Sequence, residues 1–380
     1  MIRKLHLKNF KSHRDTCLEI KPLTIISGVN NIGKSSVLQS LLLLRQSFNK
    51  KRLNAGLDLN MPLVSIGIGN DALYRLAQEP ILSIGITTDD MELAFKFDVG
   101  KSLTESFIPI AEESKLRIKS ESVDALFKDN FQYLSANRWA GRSDYPKASY
   151  EVNTEKQISL NNGQGELLGN FLFAYKGLPT HNYTGIGDES DILSLFDQVN
   201  FWENEISRGI TIDVQQNPDN TGYRVIYGTK GADRQKSIEG LRAENIGFGV
   251  SYSISIVTAL LSAEPGALIM IENPEAHLHP EGQAKLAELI CLVAQRGIQV
   301  IVETHSDHIL NGVLVNCKRF EKEGRGIDRE NVSIYYFSGQ DENHAVMYEQ
   351  IQVLPGGQID YQPKGFFDRI VYDRGYLIRD

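Results

Sequence analysis

The segment GVNNIGKS at residues 28–35 constrains the fold more than any other feature of the chain. It follows LTIIS at residues 23–27, a short apolar run rich in β-branched residues, and it leads into SSVLQSLLLLRQSF, whose apolar residues recur with a helical period. The segment matches GxxxxGK[ST], in which a glycine-rich turn between a strand and a helix points successive backbone N–H groups at a polyphosphate. The sequence therefore predicts a phosphate-binding loop in a parallel α/β core.

The side chains of this loop predict ATP and Mg²⁺ as cofactors. Lys34 is expected to reach the β- and γ-phosphates, and the Ser35 hydroxyl to ligate Mg²⁺, beside the positive end of the following helix. An ordinary Gly/Asn turn with an exposed lysine is disfavoured, because the strand, the spacing and the helix are all present. The predicted nucleotide contacts here are Asn30, Asn31, Ile32, Gly33, Lys34, Ser35 and Ser36.

A second apolar strand, at residues 267–271, ends in acidic side chains. Glu272 follows it directly, and Asn273, Pro274 and Glu275 come next. A P-loop ATPase needs a carboxylate across the sheet to hold the metal, and usually a base to orient water. Glu272 is therefore the predicted metal carboxylate, sharing Mg²⁺ with Ser35.

Five further segments resemble one known family, the ABC-type ATPase heads of the OLD, RecF and SMC branch. IENPEAHLHP resembles the Walker B and D-loop run, and IRKLHLKNFKSH the opening of these proteins. VIVETHSDHILN is similar to their switch segment, with His305 at the switch histidine. NIGFGVSYSISIV and the tail GFFDRIVYDRG resemble a subgroup of small bacterial AAA ATPases often found in anti-phage defence operons. The resemblance covers about residues 1–60 and 240–380.

The resemblance implies an α/β fold, an ABC-ATPase head with a P-loop parallel-sheet core and an N-terminal β-lobe. Residues 141–235 lie outside the resemblance, and their own pattern predicts an inserted, mostly helical lobe. This lobe would include a hairpin at residues 211–227, where ITIDVQQ and YRVIYG flank the turn-rich NPDNTG. Residues 1–140 would form the N-terminal part of the ATPase head. Residues 236–380 would form its C-terminal part, with the signature, Walker B, D-loop and switch histidine.

The resemblance also implies a homodimer that closes around two ATP·Mg²⁺. His305 would contact the γ-phosphate of its own chain. Gly247, Gly249 and Ser251 would touch the γ-phosphate held by a second copy, although a plain helix cap also explains this turn.

One position departs from the family pattern, because Asn273 stands where ABC heads usually carry the catalytic glutamate. Asparagine can position a water but cannot accept its proton. Either Glu275 acts as the base instead, or hydrolysis is slow and ATP serves mainly as a clamp.

Two other patterns are decoys. Leu354-Pro-Gly-Gly-Gln358 resembles the LSGGQ signature, but it follows both the acidic strand and His305, and it is predicted to be a turn. Histidines in HxH and HxxH pairs suggest a zinc site. The phosphate site, however, explains the switch histidine, and a D-loop at the dimer interface explains the HxH pair. These histidines are His277, His279, His305 and His308.

Composition narrows the remaining function classes. The net charge of −8 with 41% hydrophobic residues excludes a mainly disordered chain. Three scattered cysteines fit a reducing, cytoplasmic compartment, and no apolar run approaches the roughly 20 residues of a membrane span. Only residues 306–380 follow the switch histidine, without a Toprim-like acidic cluster, so any nuclease would be a separate partner subunit.

Three functions remain open from the sequence. The first is an ATPase that dimerises on ATP and gates a partner effector, in bacterial anti-phage defence. The second is a nucleotide-gated scaffold or sensor that does not hydrolyse ATP. The third is a RecF-like DNA-repair ATPase that binds DNA directly, with the basic triplet Lys50-Lys51-Arg52 as its contact.

Overall fold

A computed structural model describes residues 1–112, 124–186, 191–230, 237–363 and 376–377. Its strands are β1 (Ile2–Phe10), β2 (His13–Glu19), β3 (Leu23–Gly28), β4 (Gly56–Asp58), β5 (Ile81–Thr88), β6 (Glu92–Asp98), β7 (Phe107–Pro109), β8 (Phe131–Leu134), β9 (Asp144–Pro146), β10 (Pro179–His181), β11 (Ile192–Ser194), β12 (Ile210–Gln216), β13 (Gly222–Lys230), β14 (Ser237–Leu241), β15 (Leu268–Glu272), β16 (Gln299–Glu303), β17 (Val332–Gln340), β18 (Val346–Ile351), β19 (Val353–Leu354) and β20 (Gln358–Ile359). Its helices are α1 (Lys34–Asn49), α2 (Gly69–Ala72), α3 (Asp124–Phe127), α4 (Ser149–Asn153), α5 (Leu168–Ala174), α6 (Leu195–Ile206), α7 (Phe248–Ser262), α8 (Pro280–Gln295) and α9 (Asp307–Glu323). The tail segment at residues 365–375 lies outside the described residues.

The chain divides into two compact units. The first comprises residues 1–60, 64–123 and 301–380, and the second residues 61–63 and 124–300. This division differs from the three segments expected from the sequence, since the second unit contains the insertion together with the signature and Walker B segments.

The first unit contains the P-loop strand. There β3 pairs in parallel with β17, β17 pairs antiparallel with β18, and β16 lies on the other side of β3. The apolar residues of β3 and all of β16 are buried, as expected for parallel strands covered on both faces. The predicted N-terminal β-lobe is the antiparallel sheet β2-β1-β5-β6.

Helix α1 continues directly from the P-loop. Its residues 41–44 are four consecutive leucines, and all of them are buried. A helix that buries side chains around most of its circumference is an interior element, so the P-loop helix is firmly fixed in the core of the first unit.

The second unit contains the acidic strand β15, which pairs in parallel with β8. Helices α6, α7 and α8 contact one another. The hairpin predicted at residues 211–227 is confirmed as β12 and β13, and β9 and β14 both pair with β13.

The expectation of a mostly helical insertion at 141–235 is wrong for the described residues, because β9 to β13 share this region with α4, α5 and α6. Three of those strands have only three residues each, too few for an alternating pattern to appear in the sequence. No helix in the described part of the chain is long and apolar enough to span a bilayer.

Candidate functional site

Two glycines of the P-loop stand where any side chain would collide with backbone or a neighbouring residue. Gly28 has φ +129°, and a Cβ there would lie 2.1 Å from the Phe337 carbonyl oxygen of β17. Gly33 has φ +115°, and a Cβ there would lie 2.2 Å from Ser12 Oγ. Both positions need glycine for its positive φ and for the close approach. The Val29 N–H also donates to the Phe337 carbonyl at 3.0 Å, so β17 fixes the start of the loop.

The turn between β1 and β2 supports the loop from another side. Ser12 Oγ donates to the Ile32 carbonyl at 3.1 Å, and His13 Nε2 lies 2.9 Å from the Gly33 carbonyl. His13 Nδ1 lies 3.0 Å from Thr16 Oγ1, so a neutral ring with its proton on Nε2 satisfies both partners. Burial lowers the pKa of His13 to about 4, with a smaller contribution from the charge of Lys11, while the bond to Gly33 opposes the shift.

Sequence reasoning missed His13 as a residue of the site. Nothing in a single sequence distinguishes it from the other histidines, because its role depends on the pairing of β1 with β2.

Lys34 holds a positive charge inside the loop. The residue is 3% exposed, and its Nζ donates to the Val29 carbonyl of the same loop. Burial lowers the pKa of Lys34, and the Glu303 carboxylate partly restores it. An ammonium group in contact with a neutral carbonyl would gain a stronger, charge-assisted bond from a phosphate oxygen. The loop therefore fits a polyphosphate ligand.

Ser35 contacts a carboxylate that the sequence analysis did not assign to the site. Its Oγ donates to Glu303 Oε1 at 2.8 Å, and Glu303 is 4% exposed at the end of β16. The Thr304 N–H donates to the Ile26 carbonyl at 3.0 Å, which places the end of β16 beside β3. His305 follows and is exposed. The available signal was a glutamate at the carboxyl end of a buried strand, the same signal that pointed to Glu272.

In the second unit, Glu272 is enclosed by the segment that follows β8. Its Oε1 accepts a hydrogen bond from the Tyr133 hydroxyl at 3.0 Å, and its Oε2 accepts one from the Ala136 N–H at 3.1 Å. Burial raises the pKa of Glu272, while these two bonds and the nearby Arg138 charge oppose the rise. The predicted metal carboxylate is thus held by two hydrogen bonds within its own unit.

Arg138 secures the turn beyond Glu272. This buried side chain donates through Nη1 to the carbonyls of Ser135 at 2.5 Å and Glu272 at 2.6 Å, and through Nη2 to the carbonyl of Asn273 at 2.9 Å. Its guanidinium lies 4.1 Å from the centre of the Tyr252 ring on α7. Burial lowers its pKa to about 10, which leaves it charged at neutral pH. Arg138 therefore links the end of β15 to the helix that follows the signature segment, a role the sequence did not reveal.

The residue in place of the family's glutamate has an unusual backbone. Asn273 has φ +46°, in the left-handed region that asparagine tolerates better than most residues. The next bonds close a compact turn, from the Ala276 N–H to the Asn273 carbonyl at 3.3 Å and from the Leu278 N–H to the Glu275 carbonyl at 3.0 Å. The asparagine thus has a conformational reason to occupy this position, apart from any chemistry.

The signature segment lies against this turn within the second unit. Helix α7 begins at Phe248, with Gly247 as its N-cap, and Phe248 is 60% exposed. A Cβ on Gly249 would lie 2.5 Å from the His277 carbonyl oxygen, so glycine is required for the close approach. The signature and the D-loop histidine are therefore neighbours.

Ser251 does not present its hydroxyl as expected. The residue is 1% exposed, its Oγ accepts from the Gly141 N–H at 2.9 Å and donates to the Phe248 carbonyl at 3.1 Å. The accessible groups at the start of α7 are instead those of Gly247 and Phe248. A serine one turn into a helix faces the interior here because α7 buries nearly every residue from Val250 onward.

The decoy patterns and the basic triplet have structural explanations. Residues 354–358 form the tight turn between β19 and β20, as predicted. Within the described ranges, no group of three or more His, Cys, Asp or Glu could hold a metal ion. Lys50 and Arg52 each lie 3.0 Å from the buried carboxylate of Asp58, so two cations of the triplet already have an intramolecular ion-pair partner.

The fold has relatives among solved structures. The SmcHead bound to the C-winged helix domain of ScpA superimposes with a TM-score of 0.52 at 14% identity, over 93% of this chain and 98% of that chain. An Smc head domain with an extended coiled coil, bound to the C-terminal domain of ScpA derived from Pyrococcus furiosus, gives 0.51 at 12% identity, over 100% and 99%. At such identities the likeness is one of fold. Together with the P-loop, it confirms the expected α/β fold of an ABC-type head.

The chain belongs to the family described as AAA domain, putative AbiEii toxin, Type IV TA system, which matches residues 23–311. Residues 327–371 match a second family, described as a protein of unknown function, DUF3696. No curated protein matches the chain.

Proposed function

We propose that the chain binds ATP·Mg²⁺ at its P-loop, hydrolyses ATP slowly, and uses ATP to clamp two copies together so that a partner effector is gated. The observation that carries this proposal is the arrangement of Lys34 and Ser35. A buried ammonium and a serine hydroxyl stand side by side at the start of α1, in a loop that only glycine backbone can form. The residues that would hold Mg²⁺ are Ser35 and Glu272, and the metal would neutralise charge on the β- and γ-oxygens.

The nucleotide would be surrounded by the loop backbone. Asn30 and Asn31 are exposed at the outer turn, while Ile32 and Ser36 are buried and hold the loop in place. Gly33 ends the turn and Lys34 begins helix α1. The dipole of this helix favours an anion at its N-terminus. His305, exposed after β16, is the proposed γ-phosphate contact.

The proposed dimer would use the accessible start of α7. The backbone of Gly247 to Gly249, with the exposed Phe248 ring, would face the γ-phosphate held by a second copy. Ser251 would contribute indirectly, because its hydroxyl donates a hydrogen bond to the Phe248 carbonyl and accepts one from the Gly141 N–H. We propose it as a support of the signature turn.

The proposed partner and setting rest on the comparisons. The family description names a toxin of a toxin–antitoxin system, and two SMC heads of similar fold were crystallised with a ScpA domain bound. The ScpA complexes favour an ATPase head that acts with a separate protein, and the family description favours a setting in bacterial anti-phage defence. The cysteine usage favours the cytoplasm as its place of action.

A single-turnover measurement of γ-phosphate release tests the proposal and separates the roles of two residues. A general base contributes about 10²–10⁴-fold to rate and little to ground-state binding. Glu275→Gln should therefore slow release by about that factor while ATP affinity is kept. Asn273→Ala is the matched comparison at the neighbouring site. If only Asn273→Ala slows release, Asn273 orients the water and Glu275 is structural.

A second candidate is a nucleotide-gated scaffold that does not hydrolyse ATP. It is favoured by Asn273, which cannot accept a proton and whose left-handed backbone suits the turn. Release at the background rate in the wild-type chain, unchanged by either substitution, would establish this second candidate.

A further inference from the structure

We infer that Glu303, at the end of the switch strand β16, is a positioning residue of the metal site: it accepts a hydrogen bond from the Ser35 hydroxyl and so turns the serine lone pairs toward Mg²⁺. The inference rests on the proposed binding of ATP·Mg²⁺. It assigns to Ser35 a carboxylate of its own unit.

The hydrogen bond between the two side chains carries the argument. Ser35 Oγ donates to Glu303 Oε1 at 2.8 Å, and both belong to the first unit. A serine hydroxyl has one proton and two lone pairs. When the hydroxyl proton points at a carboxylate, both lone pairs are left for a cation, and the hydroxyl oxygen becomes a better electron-pair donor to it. Carboxylates that orient a metal ligand from behind act in this way in many metal sites.

The charge balance of the loop supports the same role. Glu303 is nearly enclosed, and its Oε1 lies 2.8 Å from the Oγ of Ser35, the residue that follows Lys34. Its carboxylate therefore lies close to where phosphate groups would bind. Without Mg²⁺ that negative charge would repel the phosphates, whereas with Mg²⁺ it would help to hold the cation. Glu303 should therefore make ATP binding depend more strongly on Mg²⁺.

A purely structural role predicts a different result. If Glu303 only stabilises the start of α1, its replacement should weaken ATP binding to the same extent with and without Mg²⁺. The two roles are distinguished by the ratio of the two affinities, which we call the Mg²⁺ gain.

The experiment is calorimetric titration of the full chain with ATP, in Mg²⁺ and in EDTA. Glu303→Gln keeps the size and an acceptor oxygen but removes the charge. We expect its Mg²⁺ gain to fall by about 10–100-fold, the usual cost of losing a residue that orients a metal ligand. Its affinity in EDTA should be unchanged or higher. Glu349→Gln, at an exposed carboxylate on β18, is the control and should keep the wild-type gain.

A double-mutant cycle with Ser35→Ala adds a second check. If Glu303 acts through Ser35, Ser35→Ala alone should lose most of the gain, and adding Glu303→Gln should lose little more. Should Glu303→Gln fail to fold, Glu303→Asp is measured instead. It keeps the charge but draws it away from Ser35, so a reduced gain is expected.

Three outcomes are decisive. An unchanged gain in the Glu303 variant, or an equal weakening in Mg²⁺ and in EDTA, overturns the inference. A wild-type chain that binds no ATP in either buffer refutes the proposed function instead. A wild-type gain that is lost in Glu303→Gln but kept in Glu349→Gln supports both.

Discussion

At the scale of one residue, Lys34 shows that a group suited to ligand binding can lower the stability of the folded protein. Its burial lowers its pKa, which means that the folded chain disfavours the ammonium form relative to the unfolded chain. A charge kept at such a cost fits the proposed role of Lys34 in binding phosphate, since a buried lysine without a ligand contributes little to the fold.

The first prediction concerns Lys34→Ala. ATP affinity should fall by at least about 100-fold, because a charge-assisted contact in a poorly solvated site is lost and about 1.4 kcal/mol corresponds to each tenfold step. The nucleotide-free variant should be at least as stable to heat as the wild-type protein. Calorimetry and thermal unfolding measure the two effects. Lys318→Ala, at an exposed position of α9, is the control. An unchanged ATP affinity would remove the P-loop interpretation.

The second prediction is a pH dependence that originates at His13. Its pKa in the folded protein is about 4, below the ordinary 6.5, so the unfolded chain takes up the proton first as the pH falls. Stability from this residue is complete above pH 6.5 and is lost between pH 6.5 and about 4. The full loss corresponds to about 3 kcal/mol, given 1.36 kcal/mol for each tenfold change in acidity.

Chemical denaturation at several pH values measures this effect. His13→Gln can still donate to the Gly33 carbonyl but does not titrate, so its stability should fall less between pH 6.5 and 4 than that of the wild-type protein. Equal slopes in the two proteins would mean that His13 is not the group responsible.

At the scale of elements, the segment after β8 connects two features of the second unit that lie far apart in sequence. Tyr133 and Ala136 hold the Glu272 carboxylate, and Arg138 holds the backbone beyond it while its guanidinium lies over Tyr252 of α7. A displacement of α7 would therefore change the contacts at the end of β15. This connection is the physical route by which the signature segment and the acidic strand could move together.

The third prediction tests that connection. Arg138→Met should destabilise the protein by about 3–5 kcal/mol, because it leaves buried carbonyls without their donor and removes the positive charge near the buried Glu272 carboxylate. Arg138→Lys should recover only part of this loss, since an ammonium cannot reproduce the two-pronged contact with the Glu272 and Asn273 carbonyls. Denaturant titration gives the values.

Arg142→Ala is the control for this prediction. The Arg142 side chain is exposed, and its guanidinium lies 4.2 Å from the Trp139 ring centre, a contact worth about 0.5–1 kcal/mol at an exposed site. A loss at Arg138 no larger than the loss at Arg142 would contradict the role assigned to Arg138.

At the scale of the whole molecule, the proposed clamp depends on a surface that a single chain leaves accessible. Phe248 is the large apolar residue at the start of α7 and is 60% exposed, with its ring 5.9 Å from that of His277. Replacing the buried Ser251 would disturb the fold, whereas Phe248 can be changed at the surface.

The fourth prediction concerns Phe248→Glu in a chain that also carries Glu275→Gln to slow hydrolysis. An acidic residue in the first turn of a helix is favourable for the fold, but it would repel the phosphates bound by a second copy. We expect each chain to bind ATP normally while ATP-dependent dimerisation is lost. Light scattering with ATP and Mg²⁺ measures the mass. Ile192→Glu, at another exposed apolar side chain, should still dimerise. A Phe248→Glu chain that dimerises on ATP would show that the interface lies elsewhere.

The sequence by itself determined the local elements of this protein. The strand–loop–helix around Gly28 to Ser35, the apolar helix after Gly247 and the strand ending at Glu272 follow from short-range patterns: β-branched runs, a helical apolar period, and glycines at fixed spacing. The sequence also predicted that residues 354–358 form a turn and are not the signature segment, because they follow the acidic strand in chain order and contain a proline. Backbone preferences and periodicity act over a few residues, so a single sequence displays them directly.

Only the tertiary structure decided which distant side chains meet. The bond from Ser35 to Glu303 joins residues 268 positions apart, and the contacts of Arg138 with the end of β15 span 134 and 135 positions. The tertiary structure also places the Ser251 side chain in the interior, where its hydroxyl accepts a hydrogen bond from the Gly141 N–H. Such contacts depend on which strands become neighbours in a sheet and on how much of a helix is buried. Those outcomes are set by packing summed over the whole fold, and no pattern of a few residues records them.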